Sequence, residues 1–177
     1  MMHSAMCSYR KPRQKGIGLI EILITIVLLS IGFLAAARMQ VEGMRFSQSA
    51  YYQSQAYFLA SDMINRMRTN SRGVRAGRYS NITTSAVAAD PGCALNACNP
   101  AQIALQDIYE WGGYFHPRDA QATNFIAALP SSDSITAYAT VIPVDNDIFT
   151  VTLVWSEIIG SEDTEQSLSV NFALRSL

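Results

Sequence analysis

Histidine and cysteine are scarce in this chain of 177 residues, and neither occurs in a catalytic or metal-binding pattern. The histidines are His3 and His116, and His116 precedes Pro117 with no cysteine or serine motif nearby, which is typical of a turn. No glycine-rich loop that would cradle a phosphate is present. Asp145 and Asp147 could bind a divalent ion, but they lack further carboxylates close in sequence and fit a turn better. We therefore expect no enzymatic activity and no cofactor.

Lysine is absent after Lys15, so arginine supplies every later positive charge. The whole chain has 13 Lys+Arg and 14 Asp+Glu, and residues 1–16 contain four of the basic residues and no acid. Residues 17–177 are left with nine basic and fourteen acidic side chains, a net charge of −5. Such a mildly acidic chain argues against a general nucleic-acid-binding protein, so no nucleic-acid partner is expected.

A long apolar run follows the basic N-terminal residues. It extends over Ile17–Ala37, which is 21 residues and close to the ~20 needed to cross a bilayer as a helix. No A-x-A-like site closes the run, although an ordinary secretory signal would need one there. Glu21 is the single charge inside it. A carboxylate at the bilayer centre costs about 2.5–3.5 kcal/mol, so Glu21 is a candidate functional residue.

The combination of a basic leader, Gly16, an apolar segment and Glu21 resembles the type III signal of type IV prepilins and pseudopilins. The resemblance implies that a prepilin peptidase cuts between Gly16 and Ile17 and that the new amino terminus at Ile17 is methylated. It also implies that Glu21, then the fifth residue, meets the amino terminus of a neighbouring subunit during assembly. The alternative is a simple signal anchor in which the glutamate is incidental.

The sequence after the apolar run predicts that the same helix continues. No proline occurs from Arg38 to Arg72, and one buried helical stripe is marked by Tyr57, Ala60, Ile64 and Met67. We expect one helix from about Ile17 to Asn70, ended by Gly73 at a cap position. Five arginines at this junction could line a subunit contact or form a solvated helix end favoured by the helix dipole, the simpler interpretation: Arg66, Arg68, Arg72, Arg75 and Arg78.

The remaining sequence predicts a mostly irregular connection followed by a sheet. A short helix is expected over Ala101–Trp111, ended by two glycines. Period-two alternation then predicts three strands within residues 134–142, 149–155 and 167–174, joined by polar turns at 143–147 and 161–165. Consecutive strands joined by short turns form an antiparallel meander.

This order of elements matches pilins from end to end, which implies an α+β fold with a long N-terminal helix packed on a C-terminal antiparallel sheet. The five segments expected are a leader, a transmembrane half-helix, an amphipathic half-helix, a connecting region and the sheet: residues 1–16, 17–37, 38–72, 73–130 and 131–177. Two stretches, 55–70 and 149–157, further resemble the type IV pilus modification protein PilV, a branch of minor pilins.

The cysteines fit this interpretation. Cys7 lies in the leader, so Cys93 and Cys98 remain as an even pair in a segment that would face the periplasm, where disulfides persist. A metal site would need further ligands, so we expect a disulfide. Its mid-chain position differs from the larger C-terminal loop of many major pilins and fits a minor component better.

The resemblance predicts a structural subunit of a type IV pilus. It would be a single-pass protein of the bacterial inner membrane with a periplasmic C-terminal domain. Its expected partners are the prepilin peptidase, other minor and major pilins and the inner-membrane assembly platform. Two alternatives stay open: a type II secretion pseudopilin, and a bitopic anchor that displays a periplasmic binding domain.

Overall fold

One long helix occupies most of the N-terminal part of the chain. In the computed structural model, which describes residues 16, 18–118, 124–145 and 147–174, α1 extends over Leu19–Thr69. The continuous apolar sequence and the absence of proline allow 51 residues to stay helical. The long helix expected from the sequence is therefore present, although Ile17 lies outside the described residues.

The chain divides into two compact units, Met1–Arg45 and Phe46–Leu177. In the first unit, every described side chain of α1 is exposed. An 18-residue window of α1 has a mean hydropathy of 2.6, and none of its residues is buried. The helix is therefore long and apolar enough to cross a membrane. A surface this apolar is costly in water, and lipid removes that cost.

The second unit contains a four-stranded antiparallel sheet in the order β1-β2-β3-β4. The strands are β1 (Ile82–Thr83), β2 (Tyr138–Asp145), β3 (Ile148–Ile159) and β4 (Glu162–Ala173). In β3 the apolar side chains at odd positions are buried from Phe149 to Trp155, as the alternation predicts. The three-stranded meander is thus confirmed, with β1 added at one edge.

The strand ends differ from the expected ones because pairing continues into both polar turns. Pro143 pairs with Phe149, and a register shift between Pro143 and Asp145 lets β2 extend to Asp145. The second turn is shorter than predicted, because Ile159 already pairs with Glu162. Gly160 has φ +68°, a conformation that glycine adopts without strain at the first central position of a tight hairpin. Residues 162–165 therefore belong to β4.

Two short helices complete the second unit, α2 (Ser71–Arg75) and α3 (Pro100–Gly112). One hydrophobic core joins the sheet to the inner face of α1 and to α3. Its largest fully buried side chains include Trp111, Trp155 and Tyr79. Burying an apolar side chain of this kind contributes roughly 1.5–3 kcal/mol, so α1 and the sheet stabilise each other through this layer.

The end of α1 corrects one expectation. Gly73 is not a cap of the long helix but lies buried inside α2, where Asn70 is the N-cap and its side chain accepts from the Gly73 N–H. A Cβ at position 73 would lie 2.5 Å from the Asn70 Nδ2 atom. Glycine is thus required there by the close approach of Asn70, not by a left-handed cap.

Candidate functional site

The start of α1 places Glu21 in the first helical turn. Gly18 precedes the helix, and its carbonyl oxygen accepts from the N–H groups of Glu21 (3.0 Å) and Ile22 (3.4 Å). A negative charge in the first turn is favoured by the helix dipole, typically by 0.3–1 kcal/mol. The Glu21 side chain is nevertheless exposed and has no hydrogen-bond or ion-pair partner among the described residues. Its carboxylate is therefore available to a group outside this chain.

Gly16 lies just before α1, is exposed and belongs to no helix or strand. A Cβ added there would meet no described atom within 4 Å, so packing in the described part of the chain does not require a glycine. The basic leader and Ile17, on which the rest of the predicted cleavage site depends, lie outside the described residues. The interpretation of Gly16 and Ile17 as the two sides of a cleavage site stays a prediction.

One face of the apolar half of α1 has a shallow concavity centred on Gly32. A Cβ at Gly32 would meet nothing among the described residues within 4 Å, so the missing side chain opens this hollow. Small residues on helices in lipid let a second helix approach closely. The lining is almost wholly apolar and consists of Thr25, Leu28, Leu29, Gly32, Phe33 and Ala36.

Cys93 and Cys98 form a disulfide with a Cα–Cα distance of 5.6 Å. The closed loop ends directly at the start of α3, where Asn99 is the N-cap and forms a capping box with Gln102. The Cys93 N–H donates to the Gln106 Oε1 atom (3.4 Å), which ties the other end of the loop to the same helix. Residues 94–97 at its tip are all exposed.

Arg66 is the centre of a partly buried polar network that sequence analysis did not identify. Its guanidinium donates to Glu110 (2.7 Å) and Asp62 (3.0 Å) and also contacts Asp107 (3.3 Å). Burial alone would lower the pKa of Arg66, but the hydrogen bonds and charges of Glu110 and Asp62 outweigh burial and raise it. Arg66 therefore stays charged and links α1 to α3.

Tyr79 and Asn70 extend this network into the core. The Tyr79 hydroxyl donates to Asp107 and accepts from the Asn70 Nδ2 atom, which also donates to the Pro100 carbonyl. Burial raises the pKa of Asp107, although the Tyr79 hydrogen bond and the Arg66 charge oppose it. The hydrogen bond from Arg66 lowers the pKa of Glu110. The buried end of the network thus holds the segment between α1 and α3 in place.

The protonation of Tyr79 should make the fold sensitive to alkali. Burial and then the hydrogen bond to Asp107 raise the pKa of Tyr79 above its ordinary value of about 10. This stabilisation is fully present below the unfolded-state pKa and is lost as the pH rises, because the unfolded chain ionises first. Between pH 9 and pH 11 we expect the free energy of unfolding to fall by about 1 kcal/mol through this group.

Urea titrations of the full chain in detergent at the two pH values would measure this loss. Tyr79→Phe should remove the pH-dependent part. Tyr57→Phe should keep it, because Tyr57, which the sequence pattern predicts to be buried, is 61% exposed in the structure. An equal alkaline loss in all three proteins would exclude Tyr79 as its source.

Sequence reasoning missed the network because its partners are far apart in the chain. Arg66 lies 41 residues from Asp107 and 44 from Glu110, and it was grouped with its neighbouring arginines. The only local signal was Asp62, four residues before Arg66 on the same helix. Among the described residues, no group of three or more His, Cys, Asp or Glu side chains could hold a metal ion.

Two protein-family models match contiguous parts of the chain, which together contain α1 and most of the segment up to the end of α3. Residues 11–37 match the model described as the prokaryotic N-terminal methylation motif, which includes Gly16, Ile17 and Glu21. Residues 38–109 match the model described as type IV pilin Tt1218, which covers the rest of α1, the disulfide loop and the Arg66 network except Glu110. No curated protein and no solved structure matches the chain. The two matches are contiguous, because one ends at residue 37 and the other begins at residue 38. The apolar helix and its signal motif fit anchoring in a membrane. The chain belongs to the type IV pilin superfamily.

Proposed function

We propose that this chain is a minor type IV pilin of the PilV kind, which acts in pilus assembly as a structural or priming subunit. The prepilin peptidase cuts after Gly16, and the new amino terminus at Ile17 is methylated. The precursor waits in the bacterial inner membrane with its C-terminal unit in the periplasm. It then leaves the membrane for the pilus through the assembly platform.

The observation that carries this proposal is an unpartnered carboxylate at the start of an uncovered apolar helix. Glu21 has no partner among the described residues, and the apolar side chains around it are exposed. A charge in such a segment is stabilised only when another group neutralises it. The amino terminus of a neighbouring subunit supplies the opposite charge, and neighbouring helices cover the apolar surface. Glu21 thus sets the register of the subunit in the bundle.

The proposed division of the chain follows from this role. Residues 1–16 are the leader that is removed, 17–37 form the membrane and assembly segment, and 38–72 continue the helix towards the second unit. Residues 73–130 connect to the sheet segment, 131–177. The disulfide lies mid-chain, and no cysteine follows Cys98, which supports a minor subunit over a major one, since many major pilins close a loop near the C terminus.

A type II secretion pseudopilin is the alternative within the same superfamily, because it shares the signal and the helix. The match to a family described as a type IV pilin favours the pilus. A bitopic anchor with a periplasmic binding domain is the alternative of a different class. It would keep its leader and would be missing from sheared surface fibres.

N-terminal mass spectrometry of the protein from cells with and without the prepilin peptidase tests the proposal. We expect a chain that begins at N-methyl-Ile17 only when the peptidase is present, and we expect the same chain in sheared pili. Gly16→Ala, which adds one methyl group where the described structure has free space, should slow the cut without changing the fold. A retained leader in both strains would favour the simple anchor and contradict the proposal.

A further inference from the structure

Positive charge is concentrated in one short stretch of the second unit. Residues 63–89 contain five arginines and no acidic residue. The side chains of four of them are exposed and form no ion pair or hydrogen bond with any described residue; we name Arg68, Arg72, Arg75 and Arg78 the arginine segment. This distribution is unusual in a chain whose residues 17–177 carry a net charge of −5.

The three carboxylates around the neighbouring Arg66 are already engaged. Arg66 binds Asp62, Asp107 and Glu110, and Asp107 also accepts from Tyr79. None of these three carboxylates contacts the arginine segment. The four charges therefore repel one another with no local compensation within the described chain.

Helix dipoles account for only part of this segment. Arg68 lies in the last turn of α1, and Arg72 and Arg75 lie in the last turn of α2, where a positive charge gains about 0.3–1 kcal/mol. Arg78 follows both helices and lies outside them. The dipole effect falls off within the last turn, so a solvated helix end does not explain the whole segment.

The backbone that carries the arginine segment is held in one conformation. Gly73 and Tyr79 are buried, and Asn70 bonds to both. The N–H groups that follow α2 donate to nearby carbonyls, including Arg78 to Gly73 at 3.0 Å. A binding surface that is ordered in advance loses less conformational entropy when its partner binds. The guanidinium fork also suits carboxylates, which it can bind with two parallel hydrogen bonds.

A complementary surface lies at the β3–β4 hairpin. Glu157, Glu162, Asp163 and Glu165, which we name the acidic hairpin, form no ion pair with any described residue. Hydroxyl groups of Ser132, Ser134 and Ser156 donate to Asp163. These hydrogen bonds lower the pKa of Asp163, so it stays ionised at neutral pH. Glu157 and Glu162 lie on one face of the hairpin and Asp163 and Glu165 on the other, so the negative charge surrounds its end. The arginine segment and the acidic hairpin thus carry opposite charges and do not pair with each other in the described part of one copy.

We propose that the arginine segment of one subunit binds the acidic hairpin of a second copy of this chain. Two different patches that meet between copies form a heterologous, head-to-tail contact, which is the kind that builds helical filaments. The proposal rests on the proposed function and further requires that two copies of this minor subunit lie side by side in the assembly. It adds a charged contact between the second units to the contact that Glu21 makes in the apolar segment.

Cross-linking of two differently tagged full-length copies in cells tests this contact. Both copies carry Cys7→Ser, so that only the new cysteines react with a bifunctional thiol reagent. One copy carries Ala76→Cys beside the arginine segment, and the other carries Ser161→Cys at the hairpin turn; both positions are exposed. We expect a cross-linked pair, and a much weaker one when Ser85→Cys, also exposed, replaces Ser161→Cys.

Charge reversal then identifies the interaction. Arg72→Glu with Arg75→Glu should lower the cross-linking yield about tenfold, because two attractive pairs become repulsive. Glu162→Arg with Glu165→Arg in the other copy should restore the yield. Arg45→Glu, the same charge change at an exposed arginine outside the segment, should leave it within about twofold.

The outcomes separate this contact from the proposed function. A retained leader contradicts the proposed function itself. Normal processing and incorporation without a cross-link, or a yield that the reversed charges do not change, contradicts only the contact. Binding of a DNA fragment by the detergent-solubilised full chain that depends on the arginine segment would assign the segment to a polyanion and also overturn the proposal.

Discussion

Replacing Glu21 with alanine is expected to lower incorporation of the chain into sheared pili about thirtyfold, while cleavage after Gly16 continues. The apolar bundle of a pilus contains little water. An amino terminus that loses its carboxylate partner there stays unpaired, which costs free energy. A loss of about 2 kcal/mol, near the lower end of the cost of a charge in the bilayer, corresponds to this factor.

The magnitude distinguishes an assembly role from a local one. If Glu21 only stabilised the first turn of α1 through the helix dipole, its removal would cost 0.3–1 kcal/mol and change incorporation less than about sixfold. Glu21→Gln keeps the size of the side chain but removes the charge, so it should be nearly as defective as Glu21→Ala.

The measurement is the amount of tagged chain in sheared pili relative to the amount in membranes, with the N terminus checked by mass spectrometry. Glu42→Ala is the matched control, because Glu42 is an exposed acid of the same helix beyond the apolar run. Wild-type incorporation of Glu21→Ala would refute the assembly role of this carboxylate.

Arg66→Leu should clearly destabilise the second unit. Removal of the guanidinium leaves Asp107, whose side chain is 12% exposed, without its cation, and Glu110 and Asp62 without theirs. Removing one partner of a buried ion pair costs about 3–5 kcal/mol. Because Glu110 and Asp62 are partly solvated, we expect about 2–3 kcal/mol here.

Urea titration of the full chain in detergent measures this loss, with the fluorescence of Trp111 and Trp155 as the signal from the core. Arg68→Leu is the control, since Arg68 lies two residues away on the same helix but is exposed and makes no ion pair with described residues. Its effect should stay within about 0.5 kcal/mol. Equal effects of the two substitutions would mean that the network contributes nothing specific.

The sequence predicted those parts of the fold that depend on short-range patterns. The apolar run and the absence of proline predict α1, and the alternation around Phe149–Trp155 predicts β3. The strand β1 was missed because it contains only Ile82 and Thr83, too few residues for any periodic signal. Its place in the sheet comes from its partners in β2, which lie almost 60 residues later.

Polar contacts set the other boundaries. Residues 134–137 have the β-branched composition of a strand, yet β2 begins at Tyr138. The Ser131 hydroxyl accepts a hydrogen bond from the Ala137 N–H group, and the Ser132 hydroxyl accepts one from the Ile135 N–H group. These bonds take the place of the strand-to-strand hydrogen bonds that would extend β2. A hydropathy pattern does not show that a side-chain oxygen competes with the carbonyl of a neighbouring strand for a backbone N–H group.

The candidate site divides in the same way. Gly16, Ile17 and Glu21 could be proposed from the sequence because the signal motif has a fixed linear spacing before an apolar span; their roles stay predictions. Cys93 and Cys98 were found because they are close in the chain. The Arg66 network could not be found, since its geometry exists only after α1 and α3 have packed.

The disulfide loop leaves a segment of this protein free to change. The bond between Cys93 and Cys98 joins its two ends, and the capping box at Asn99 and the hydrogen bond from Cys93 to Gln106 hold them to α3. The side chains between them contribute nothing to the core, and Leu95 is 92% exposed. Such loop tips accept foreign sequence with little loss of stability. Residues 94–97 therefore offer a place to insert a short epitope or a fluorophore-binding tag, which would make single subunits visible without altering the helix or the sheet.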